Sequence, residues 1–361
     1  MPKRSIAVAS ILAFLVPSPA AVAADAACSC RHLESLQQEL RNAEALIRIQ
    51  GEIRDRLAAI EAPLIEAKKR PTHPDSDVNI YDRSIRERTK ILSTFTLPHP
   101  QAKGYSGPES VKMSFGTCEQ SARDLDALKA GSQCSEIAEI NLAHEAAHRA
   151  ECLQAGAAEY WKRLPSQMAA EEVVRYIEQA AALRGLLKKV LDDGEMIVEA
   201  EMKPRVQAPQ FDVTYSYVTG PIQLQGQSSP GSDQWSLHGK GRQVARIARM
   251  RLAGMTCTST GQTNTDIDMT LQTDGLTMAL QGKSTSAPGD VKVQCRGGHG
   301  MSMRPQQETG KGAYFTDQEL RTETILSRDI KGMEFAKMLA KGGLSVTGTE
   351  TVTVKLICPG D

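Results

Sequence analysis

The chain carries no net charge to speak of. Its 361 residues hold 43 Lys and Arg against 43 Asp and Glu. There is no basic field of the kind nucleic-acid binding requires, so nucleic acid is not expected as a partner. Beyond residue 24 no apolar run approaches the roughly 20 residues that span a bilayer, so no membrane span is expected. A lipid anchor is not expected either: Asp25 stands three before Cys28, where a lipoprotein signal needs a Leu-like residue. No internal repeat is visible. Finally, the stretch between Gly131 and Gly156 has neither glycine nor proline, which leaves one long segment free to be helix.

What is present begins with export. Lys3 and Arg4 precede an apolar core over Ser5 to Val16, and Pro17 and Pro19 then break it. Small residues follow at Ala21-Val22-Ala23-Ala24. This is the pattern of a secretory signal over 1–24, with a periplasmic or extracellular mature protein. Removal of Lys3 and Arg4 with the signal leaves a mature charge near −2. All eight cysteines survive cleavage, and in an oxidising compartment an even number implies up to four disulfides.

The first half reads as helix. Leu36, Leu40, Ala43 and Ile47 share one 3–4 spacing over 32–70, and Ile49, Ile53, Leu57, Ile60 and Leu64 share another. Gly51 marks a weak point and Pro63 a kink. A second helix is expected over 80–95, stopped by Leu97-Pro-His-Pro100. A loop or short strand is expected around Val111 to Phe115, a short helix over 118–130, and a long helix from about Ser135, capped by Ser132 or Ser135, to about Ala158. Another runs from a Ser166 cap to about Asp192, stopped at Gly194. Past residue 200, alternation replaces the 3.6 period. A hairpin is expected around Thr219-Gly220, a strand over 249–258, and a hairpin at Asp274-Gly275. A short helix over 333–341 interrupts the strands, and Pro204 to Pro209 reads as a hinge. The resulting division is a signal over 1–24, a helical arm over 25–100, a helical domain over 101–200, and a β-rich sandwich or barrel-like domain over 201–361: an α+β chain.

The chemistry concentrates in Asn141-Leu-Ala-His-Glu-Ala-Ala-His148. Mid-helix, His144 and His148 lie on one face, one turn apart, and can share a metal. Glu145 leaves the helix about 100° round, so it flanks the metal without ligating it. That is the H-E-x-x-H arrangement of two zinc ligands and a general base. On the following long helix Ala169, Glu172, Tyr176, Ala180, Leu183, Leu187 and Val190 form one stripe, with Glu171, Arg175, Glu178 and Lys189 on a polar one. Glu172 is therefore the carboxylate expected to face inward and meet a cation, with its neighbour Glu171 as the alternative. Cys152 lies about 12 Å along the axis from His144, too far for one zinc. Cys134 and Cys152 stand about 27 Å apart on one helix, so they cannot pair with each other. Cys118 is the nearest option for one of them. Cys257, Cys295 and Cys358 are odd in number, so at least one pairs outside the β-rich part, with Cys28 and Cys30 as candidates, or stays free. Tyr176 can hydrogen-bond a ligand or an oxyanion.

The motif and a glutamate 24 residues on resemble the gluzincin clan of zinc metallopeptidases, within the zincin superfamily, over about 135–190. The resemblance implies zinc (Zn2+) held by His144, His148 and Glu172, Glu145 as general base, and a peptide or protein substrate. Two features depart from it. Arg149 stands where an uncharged residue is usual, and Glu-Glu-Val-Val-Arg replaces the Asn-Glu-x-x-Ser-Asp of thermolysin-like enzymes. The metzincin pattern is absent because no glycine follows three after His148. The competing expectation is a secreted, non-catalytic binding or structural protein whose β-rich domain meets a protein partner.

Overall fold

The computed structural model describes residues 26–70, 72–95, 111–228, 234–286, 291–296, 300–303 and 309–359. The signal over 1–24 and the Pro-His-Pro stop near residue 98 lie outside them.

Helix α1 spans Leu33–Lys68 and runs through Gly51 and Pro63 without a break. Its two apolar stripes serve two different partners. Leu33, Leu36, Leu40 and Ala43 enter the main core, whereas Ile53 and Leu57 pack with Ile91 and Ala169. Helix α2, Ile80–Leu92, starts where the Asn79 side chain accepts the Asp82 N–H. At 111–115, where a loop or short strand is expected, no strand forms. Met113 instead makes one bridge with Gln120, closing a tight turn. Helix α3 covers Ala122–Gly131, capped by Ser121, and α4 covers Ser135–Ala155. Neither Ser132 nor Ser135 caps α4; Cys134 holds that position and the Ser135 hydroxyl turns to Glu136. A one-turn α5, Ala157–Tyr160, leads to α6, Pro165–Asp192. Pro165 takes the first turn of α6, where its missing N–H costs nothing. Ser166, expected as the cap, gives its backbone and hydroxyl hydrogens to the buried Glu61 carboxylate of α1.

The remainder is one antiparallel sheet. Its strands are β1 (Glu195–Met202), β2 (Arg205–Ala208), β3 (Phe211–Ser228), β4 (Trp235–Leu252), β5 (Met255–Thr260), β6 (Thr263–Thr273) and β7 (Thr277–Ser286). They continue as β8 (Val291–Cys295), β9 (Gly300–Met303), β10 (Thr309–Glu319), β11 (Glu323–Asp329), α7 (Glu334–Lys341), β12 (Ser345–Thr347) and β13 (Thr349–Ile357). The main path runs β10-β7-β6-β4-β3-β1-β13-β11 and nearly closes into a barrel. Three local expectations change here. Thr219-Gly220 is no hairpin: β3 passes straight through with a register shift against both neighbours, which absorbs the missing N–H of Pro221. The segment 249–258 is a hairpin, because Ala253 and Gly254 both take positive φ (47° and 81°), the requirement of a tight two-residue turn. The stretch between Pro204 and Pro209 is strand β2, paired with β3 and β12, and not a hinge. The Asp274-Gly275 hairpin joins β6 to β7 as expected.

Helices and sheet share one core. Leu36 and Leu40 of α1 and Leu183, Leu187 and Val190 of α6 pack with Val198, Ile222, Ile267, Leu271 and Val352 of the strands. Each buried aliphatic side chain of this kind contributes about 1.5–3 kcal/mol. Gln37 enters the same core and satisfies its amide by donating to the carbonyls of Gly275 (2.7 Å) and Leu320 (2.9 Å). Four disulfides brace the molecule: Cys28–Cys134, Cys30–Cys358, Cys118–Cys152 and Cys257–Cys295. Cys118 meets Cys152, and the odd cysteine of the sheet, Cys358, meets Cys30.

Candidate metal centre

Helix α4 has no residue that could break it between its ends, so His144 and His148 project from consecutive turns of one face. Helix α6 packs against that face in the opposite direction. Gln179 donates to Asn141 at 2.7 Å, the Tyr176 ring lies 4.6 Å from that of His144, and Glu171 meets His148. This antiparallel register carries Glu172 to the two imidazoles.

The three side chains converge. The Nε2 atoms of His144 and His148 are 3.2 Å apart. One Glu172 oxygen lies 3.5 Å from Nε2 of His144 and the other 3.5 Å from Nε2 of His148. Zinc bonds of about 2.0–2.1 Å at tetrahedral angles place ligand atoms about 3.3 Å apart. The three contacts are close to that spacing, with each histidine facing a different Glu172 oxygen, and the donor set of two imidazoles and a carboxylate suits zinc. A second close group, Cys28, Cys134 and Glu136, offers no thiolate because both sulfurs are in a disulfide.

The electrostatics are those of three mutually dependent groups. Burial alone would lower the His148 pKa, but hydrogen bonds to Glu171 and Glu172, with their charges, push it up to about 10. Burial alone would raise that of Glu172, yet hydrogen bonding to His144 and His148 brings it down to about 2. Glu145 is half-buried and burial raises its pKa, partly opposed by the two histidines. Its backbone carbonyl accepts from Gln120 at 2.7 Å, which ties the turn before α3 to the motif.

Glu171 departs from expectation. The stripe placed it on the polar face, but it is 9% exposed. The α4–α6 connection folds back over the first turns of α6 and covers that face too. Arg163 donates to one Glu171 oxygen at 3.0 Å, and Tyr160 reaches the other at 3.5 Å. That second oxygen also lies 2.8 Å from Nδ1 of His148, on the opposite side of the ring from the converging Nε2 atoms. Glu171 therefore holds the imidazole from behind and sets which nitrogen faces Glu172. Arg163 also binds Glu151 at 2.5 Å, and Glu151 accepts from Arg175 at 3.3 Å. Gln120, Tyr160 and Arg163 carry no periodic or spacing signal toward the motif, because they lie outside α4 and α6 and reach it by tertiary folding, whereas Glu151 stands one helical turn after His148 on α4.

Arg149 is exposed, so its charge stays away from the cluster. Cys152 is held by Cys118 and by distance from His144 is no ligand. Two clefts lie along the α4–α6 seam, and Arg175 lines both. One of about 940 Å³ lies beside Glu171, and one of about 300 Å³ is lined by His144. No protein-family model, curated protein or solved structure matches the chain.

Proposed function

We propose that this chain is an exported zinc-dependent peptidase of the gluzincin type, with His144, His148 and Glu172 as the zinc ligands. The observation that carries the reading is the convergence of two Nε2 atoms 3.2 Å apart with the Glu172 carboxylate, whose two oxygens each lie 3.5 Å from one of them. Four disulfides fit an oxidising compartment. Among the described residues no helix is long and apolar enough to cross a membrane.

A zinc ion, when bound, supplies a Lewis acid and brings the pKa of a coordinated water toward neutrality. The protein supplies the rest. Glu171 accepts a hydrogen bond from Nδ1–H of His148, so that Nε2 of the neutral ring presents its lone pair. Glu145, its pKa raised by burial, accepts the proton of the attacking water and passes it to the leaving amine. Elemental analysis of the purified mature protein should show about one zinc per chain. That zinc should be lost in His148→Ala and kept in Glu145→Gln, while Glu145→Gln loses cleavage of a peptide library. Cleavage by Glu145→Gln at the wild-type rate rejects the assignment.

The second reading is a non-catalytic binding or structural protein. It draws on how closed the centre is, with the His144 and His148 side chains 7% and 9% exposed. Zinc content with no peptide cleaved would favour it.

A further inference from the structure

We infer that the cleft beside His144 is a recognition pocket for a basic side chain, best filled by the guanidinium of an arginine in a peptide. The inference rests on the peptidase reading for the peptide, but not for the pocket.

The cleft of about 300 Å³ lies along the α4–α6 seam and holds about one large side chain. It is lined by His144 at one end and by Glu136, Glu139, Arg175, Glu178 and Gln179 along its length. Three of these residues bring a buried polar atom with no hydrogen-bond partner among the described residues: Nδ1 of His144, Nε of Arg175 and Oε1 of Gln179. Gln179 is 9% exposed, and its amide nitrogen is already spent on Asn141, so its unpaired oxygen is an acceptor waiting for a donor. An unmade hydrogen bond at such depth is a cost the fold recovers when a donor arrives.

The charges point the same way. Arg175 is compensated by Glu178 at 2.8 Å and by Glu151 at 3.3 Å. Glu136 accepts from Lys189 at 3.4 Å. Glu139 is exposed at the mouth with no ion pair among the described residues. The pocket thus offers a free carboxylate at its rim and a neutral acceptor in its depth. A guanidinium, with five donors in a planar fork, can serve both. Position fits as well. Glu139 lies five residues before His144, about 7.5 Å along the helix axis, within reach of one extended arginine side chain from a backbone held at His144.

The test uses two peptides identical except for arginine or citrulline, which keeps the shape and loses the charge. Calorimetric titration into the full mature chain carrying Glu145→Gln should give about tenfold tighter binding of the arginine peptide. Glu139→Lys, a change at an exposed position, should abolish or reverse that preference, and Gln179→Leu should reduce it. Equal affinities for the two peptides, or a preference that survives Glu139→Lys, overturn the inference. An arginine preference without cleavage of any peptide by the unmutated chain supports the pocket and rejects the peptidase reading. Cleavage without any arginine preference does the reverse.

Discussion

Oε1 of Glu171 lies 2.8 Å from Nδ1 of His148, behind the imidazole, while its neighbour Glu172 stands in front of it, 3.5 Å from Nε2. Two adjacent residues on one helix thus address opposite edges of one ring. Their roles should separate in zinc affinity. Glu172→Ala removes a ligand and should abolish stoichiometric zinc binding. Glu171→Gln removes the orienting charge and should weaken it by about 10–100-fold. Competition with a chromophoric chelator measures both. If Glu171→Gln abolishes binding and Glu172→Ala leaves it unchanged, Glu171 is the ligand.

Zinc binding should depend steeply on pH. With its pKa pushed up to about 10 by Glu171 and Glu172, His148 is protonated in the metal-free protein at pH 7. Zinc must displace that proton, so affinity should rise about tenfold per pH unit from pH 7 toward 10. Calorimetry in two buffers of different ionisation enthalpy should count about one proton released from His148. For the metal-free fold the sign is opposite. A raised histidine pKa stabilises fully below its ordinary value of 6.5, and that contribution is lost as pH climbs through about 10. A metal-free protein whose thermal midpoint does not fall on approaching pH 10 contradicts the ion pair.

Acid should loosen the junction between the chain start and α4. Burial alone would raise the Glu136 pKa, but hydrogen bonds from the Cys28 N–H (2.6 Å), the Ser135 hydroxyl (2.9 Å) and Lys189 hold it below the ordinary 4.5. A depressed carboxyl contributes stability above its unfolded pKa and loses it as pH falls through the folded one. Glu136→Gln should therefore cost about 1–2 kcal/mol at pH 7. The cost should be smaller at an acid pH below 4.5 than at pH 7. Urea midpoints of both proteins at the two pH values decide it; a cost independent of pH would assign the loss to packing.

The Cys30–Cys358 bridge joins residues 328 apart in sequence and ties the start of α1 to the end of β13. A closure of that span restricts the unfolded chain strongly, so replacing both cysteines by serine should cost about 2–5 kcal/mol. The Cys257–Cys295 bridge spans only 38 residues within two paired strands, and its removal should cost less. Equal losses from the two double replacements would contradict loop closure as the cause.

Much of the fold was legible because it is local. The spacing of Leu36 and Leu40, and the run without glycine or proline around His144, specify helices from short-range rules alone. Asp274-Gly275 specifies its turn because Gly275 adopts the positive φ (86°) such a turn needs. The cysteine pairing could be narrowed by helix length, but the choice of Cys30 for Cys358 required both chain ends to meet. Strand β4 escaped because its alternation is diluted by Gly239 and Gly241, whose missing side chains make room for Ile222 of the neighbouring strand. That packing relationship is invisible along the chain.

The sequence by itself determined that His144, Glu145 and His148 share a helix and that a glutamate follows on the next one, because helical periodicity is set by neighbouring residues. Only the tertiary structure decided what Glu171 does. The stripe placed it outward, and the outward face of α6 is where Tyr160 and Arg163 fold back. Burial of a residue depends on what the chain lays over it, and no period within α6 records that.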